Sequence, residues 1–98
     1  MNPPFYKQPT EKYAIAMDYT SELADSETIS STAIVVTEIL AGTVVTSTII
    51  DSTATTDTQA KAVIKAGTSG KRYKITFKST SNLAYVYEDD VFMTVLDD

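Results

Sequence analysis

The stretch Lys71-Arg72-Tyr73-Lys74-Ile75-Thr76-Phe77-Lys78 constrains this chain more than any other. Tyr73, Ile75 and Phe77 occupy every second position, with Lys74 and Thr76 between them, Arg72 before them and Lys78 after them. A period of two belongs to a pleated strand with one dry face and one wet face, whereas one face of a helix recurs every three or four residues. The preceding Ala66-Gly67-Thr68-Ser69-Gly70 is a turn, because glycine reaches positive φ without a Cβ penalty. A Tyr just inside such a strand fits a corner tyrosine, whose hydroxyl returns to nearby backbone, as well as a plain core residue.

The rest of the chain follows the same pattern. Thr, Val and Ile supply 16, 8 and 8 of the 98 residues, and Leu only 4. Branched side chains are stiff at χ1 and pack well on a pleated surface. Tyr13, Ile15 and Met17 alternate with Ala14, Ala16 and Asp18, giving a first strand. Glu27 to Thr37, with Ile29 and Ile34-Val35-Val36, reads as a second, and Thr43 to Asp51 as a third. Ser52 to Thr58 is an edge strand or a loop. Gln59 to Lys65 is assigned as a strand over a competing two-turn helix, since isolated helices that short are marginal in water. Ala84 to Glu88 extends a hairpin, and Val91 to Leu96 closes the chain. Short strands with turn signals roughly every 8–12 residues predict an all-β, immunoglobulin-like or fibronectin III-like antiparallel sandwich of about seven strands. It occupies residues 12–98 as a single domain.

Residues 1–11 read as an extended N-terminal arm. Pro3, Pro4 and Pro9 are the only prolines, and each fixes φ and lacks a backbone donor. Phe5 and Tyr6 sit among them, and either dock onto a partner or fold back onto their own domain. Phe5, Tyr6 and Pro9 are therefore candidate partner-binding residues. Nothing at the start reads as a secretory signal, and no apolar run approaches the roughly 20 residues that span a bilayer.

Chemistry is narrowly bounded. The chain has neither His nor Cys, so imidazole bases, thiolate nucleophiles and disulfides are excluded, and Ser and Thr have no histidine to activate them. The reading is non-enzymatic, with no cofactor and no metal. Glu88-Asp89-Asp90 and Asp97-Asp98 lack the spacing of a calcium loop and read as solvated acidic segments. A net charge of −5 argues against a nucleic-acid partner. Arg72, Lys74 and Lys78, with Lys61 and Lys65 on a possible neighbouring strand, form a basic row. It reads as a polar outer face balanced by acids across the strands.

Several short, distinct motifs follow one another along almost the whole chain. They are Lys7-x-Pro9-x-Glu11; Ile15-x-Met17-Asp18-Tyr19-x-x-x-Leu23; Glu27-x-Ile29-x-Ser31-Thr32; Ala66-Gly67-Thr68-x-Gly70-x-x-Tyr73-x-Ile75; and Asp90-Val91-Phe92-Met93-Thr94-Val95. In this the chain resembles the small immunoglobulin-like structural proteins of tailed bacteriophage and prophage virions. Tyr19 and Ala33 stand where such proteins usually carry Trp. The resemblance implies a virion part made in the bacterial host cytoplasm: a head–tail connector, a tail or fibre adaptor, or a capsid decoration. Its partners would be other virion proteins, through arm docking and sheet-edge contacts, with a homo-oligomer in the particle and no membrane. On that reading, deleting residues 1–8 leaves the fold's melting nearly intact and abolishes incorporation into particles. The alternative is a host-polysaccharide module using Tyr85 and Tyr87, which flank Val86.

Overall fold

A computed structural model describes residues 5–97. Pro3 and Pro4 of the expected arm, and Asp98 of the terminal acidic pair, lie outside them. The described chain is almost entirely β, in two sheets. Its strands are β1 (Phe5–Lys7), β2 (Tyr13–Asp18), β3 (Ile29–Glu38), β4 (Ile50–Thr55), β5 (Gln59–Ile64), β6 (Arg72–Ser81) and β7 (Val86–Val95), with one helical turn, α1 (Thr46–Ile49). One sheet runs β1-β7-β6-β3, the other β2-β5-β4. All pairs are antiparallel except β1 with β7.

The alternation read from the sequence becomes the interior. Tyr73, Ile75 and Phe77 of β6 are buried against Val36, Met17, Ile64, Ala60 and Ala62, and against Val91, Met93 and Val95 of β7. The corner tyrosine is present as geometry: the Thr68 N–H donates to the Tyr73 hydroxyl at 2.9 Å. Tyr19, 1% exposed, extends the core at the far end, where its hydroxyl accepts from Ser79 Oγ at 3.1 Å.

One expected strand is corrected. Thr43 to Asp51 does not form a single strand. Val44 makes only an isolated bridge to Thr37, residues 46–49 coil into α1, and β4 begins at Ile50. The chain must pass here from the four-stranded to the three-stranded sheet. The helical turn drops Ile49, fully buried, into the gap between them, and the Thr46 hydroxyl accepts from Val36 N–H at 3.0 Å. Branched residues favour strand, but packing overrides that preference where the layers are crossed. Ser52 to Thr58 resolves as the edge strand β4 up to Thr55, and Gln59 to Lys65 as the strand β5.

Candidate interaction surfaces

The first of the proposed contact segments is part of a sheet. Phe5, Tyr6 and Lys7 pair with Met93, Thr94 and Val95 of β7. Alternation along β1 sends Phe5 inward, where its ring meets Tyr13 edge-on at 6.3 Å. Tyr6 points outward and is 70% exposed. Lys7 is the unexpected residue: its side chain is buried, and Nζ donates to the carbonyls of Ala66 at 2.6 Å, Gln8 at 2.8 Å and Pro9 at 3.2 Å. Burial pulls its pKa below the ordinary lysine value, against the opposing pull of Glu11. Pro9 lies in the turn after β1, where Glu11 Oε1 accepts from Gln8 N–H at 2.7 Å and Glu11 N–H returns to the Gln8 carbonyl at 3.1 Å.

Tyr85 and Tyr87 are brought close in sequence but not in environment. Tyr85 is exposed at the β6–β7 hairpin. Tyr87 is half-buried, with its ring 5.9 Å from Tyr19 and its hydroxyl on the Glu27 carboxylate at 3.0 and 3.1 Å. Burial and then Glu27 push its pKa up. Glu27 is itself buried and accepts from Ala24 N–H at 2.9 Å. The Ser81 hydroxyl, ahead of Ala24, holds it below the usual carboxylate range.

The hairpin tip is anchored from outside. Asn82 N–H donates to the Thr28 carbonyl at 2.9 Å, Thr28 N–H donates to Asn82 Oδ1 at 3.1 Å, and Ser81 Oγ accepts from Leu83 and Tyr85 N–H. Leu83 and Tyr85 are therefore held out on a supported turn. Asn82 is not singled out by the sequence, and Glu27 enters there only as the first residue of a strand and of a motif, with no role assigned. An Asn at a turn is the available signal for the first; for Glu27 the motif gives a position but nothing local tells that its carboxylate is buried against Tyr87.

The basic row is placed as expected on one point and divided on another. Arg72, Lys74 and Lys78 share the outer face of β6, where Lys78 lies opposite Glu88 and Thr76 Oγ1 donates to Asp90 at 2.7 Å. Lys61 belongs to the other sheet and Lys65 directly follows β5, where it pairs with Asp51 at 3.8 Å. The rest of this outer face carries Val35 and Phe92, with an open groove lined by Thr37, Ile39, Lys74, Asp90 and Phe92. Among the described residues, no group of three or more acidic side chains is placed to hold a metal ion. No helix is long and apolar enough to cross a membrane.

The exposed large apolar residues have a simple distribution. Tyr6, Leu40, Val44 and Leu96 lie at one end of the four-stranded sheet; Leu83, Tyr85 and Val86 lie at the other. The register fixes these ends: Tyr6 faces Thr94, Thr94 faces Arg72, and Ile39 N–H reaches the Arg72 carbonyl, while Val86 faces Thr80. The class so defined is a small two-sheet β protein with exposed apolar side chains at both tips of one sheet. Residues 7–94 match the family model of the podophage GP4 fibre-tail adaptor protein gp77, and the chain belongs to that family of phage tail-fibre adaptors, structural proteins of the virion. A comparison with the curated proteins finds no match.

Proposed function

We propose that this adaptor joins fibre to tail by its two ends, one component seated on the Tyr6, Leu40 and Leu96 end and the other on the Leu83 and Tyr85 hairpin. The observation that carries this is the distribution of exposed large apolar side chains: among the described residues, all but Val35 and Phe92 gather at opposite tips. Along β7, Val86 and Thr94 are about 27 Å apart at the usual rise per residue, so one partner would not span both tips through a single small patch. Aromatic side chains on supported backbone are favoured anchors, because little freedom is lost on binding.

The domain is proposed to be immunoglobulin-like over 12–98, with residues 1–11 as its arm. Supporting this are the strand order, which follows the C-F-G and B-E-D sheets with β1 beside the last strand, and the Tyr73 corner. The arm takes part through Tyr6, while Phe5 and Pro9 fix its path. A polysaccharide platform is less well supported, since Tyr87 keeps its hydroxyl on Glu27. The test is assembly of fibres onto tails with two paired variants, Tyr6→Ser with Leu40→Ser, and Leu83→Ser with Tyr85→Ser. Each pair should lose one partner and retain the other. Full assembly with both sets would sink the two-ended reading.

A further inference from the structure

We propose, building on the two-ended reading, that the hairpin end takes a basic surface: the component seated on Leu83, Tyr85 and Val86 meets them with apolar contacts ringed by lysine or arginine. This charge then sets which way round the adaptor lies between fibre and tail.

The charges are already divided in the sequence. No lysine or arginine occurs between Lys12 and Lys61, or after Lys78. The fold gathers parts of both stretches at one tip. Residues 26–28 are tied to Asn82. The Ile29 N–H donates to the Asp57 carbonyl and the Tyr19 N–H to the Thr58 carbonyl, both at 2.8 Å, and Asp18 lies opposite Gln59. Asp18, Glu22, Asp25, Asp57 and Glu88 are thereby exposed around the hairpin. Lys78, opposite Glu88, is the one basic side chain beside them among the described residues. The other end is balanced. Lys12 and Lys65 pair with Asp51 there, and Lys71 pairs with Glu38.

The apolar anchors at the two ends are alike in kind: Tyr6, Leu40 and Leu96 at one, Leu83, Tyr85 and Val86 at the other. Such anchors alone do not tell one component from another, and charge is what differs between the tips. A partner that covers Leu83 and Tyr85 also strips water from part of the acidic rim. A carboxylate desolvated against a neutral surface is a net cost, whereas one facing lysine or arginine is compensated and also steers the encounter. The same rim repels an acidic surface, so it selects by repulsion as well as by attraction.

The test measures binding of the chain separately to purified tails lacking the adaptor and to purified fibres. Affinity for one component should fall about tenfold or more between about 0.05 and about 0.5 M salt. It should fall likewise when Glu22→Lys, Asp25→Lys and Asp57→Lys are combined, three exposed positions outside the apolar anchors. That component should be the one lost with Leu83→Ser and Tyr85→Ser, while affinity for the other changes little. The salt comparison uses the unsubstituted chain, so it holds whether or not the triple variant folds. If Leu83→Ser with Tyr85→Ser removes a component whose binding salt or charge reversal leaves unchanged, the basic partner is overturned and the two-ended reading stands. If that pair removes neither component, both are overturned.

Discussion

At the scale of single residues, three positions hold more than their size suggests. Lys7→Met keeps the apolar stem but leaves the Ala66 carbonyl without its donor, and a buried acceptor left unpaired costs about 1–3 kcal/mol. Chemical denaturation should show a loss in that range, whereas Lys12→Met, on an exposed ion pair, should lose well under about 1 kcal/mol. Gly67→Ala meets two obstacles at once. Its φ of +97° is strained for any side chain, and the new Cβ would lie 2.7 Å from Val95 Cγ2. A drop of about 3 kcal/mol in unfolding free energy is expected, from strain and overpacking together. Glu27 makes stability depend on acidity. Its pKa is depressed in the folded chain, chiefly by Ser81 and then Ala24, so folded Glu27 binds fewer protons than unfolded Glu27. The stability it supplies is complete above the ordinary glutamate range and is lost as pH falls through the depressed value. Asp18, held down first by the Thr20 hydroxyl and then by its N–H, adds in the same direction. Thermal melts from about pH 7 to about pH 3 should fall, and Glu27→Gln should flatten part of that slope.

At the scale of elements, legibility follows how local the deciding force is. β6 was readable because its turn glycines, its alternation and its corner tyrosine all lie within a dozen residues. β2 and β5 were readable for the same reason, and Ala60, Ala62 and Ile64 turn inward as the alternation requires. The 43–51 segment was not, because its branching favours a strand and only the crossing between layers makes residues 46–49 a helical turn. Of the candidate contact residues, exposure at Tyr6 and Tyr85 fits their proposed use. The partial burial of Phe5 and the engagement of Tyr87 depend on contacts with Tyr13, Tyr19 and Glu27 that no local spacing specifies. β1 also changes an expectation about truncation. Because Phe5 packs on the core and Lys7 is buried, removing residues 1–8 uncovers the β7 edge. The melting temperature should therefore drop by several degrees, at roughly 4–8 °C per kcal/mol for a domain of this size, instead of staying nearly intact.

At the scale of the whole molecule, the chain extends 44 × 23 × 22 Å, and the ten-residue strands β3, β6 and β7 run along much of that length. On the proposed two-ended reading, an elongated body holds one component at each tip and sets the distance between them. Both tips are braced: Lys7 and the Ala66 turn hold one, and Asn82 on residues 26–28 holds the other. Asn82→Ala should leave binding at the Tyr6 end unchanged and weaken the hairpin end, because Leu83 and Tyr85 lose their support. Affinity measurements with each partner separately would show this split. The most direct test places a photo-cross-linking side chain at Tyr6 in one preparation and at Tyr85 in another, within assembled particles, and identifies the captured components by mass spectrometry. Two different virion components, one from each tip, are the expected result. Capture of the same component from both positions, or of none from either, would contradict the account.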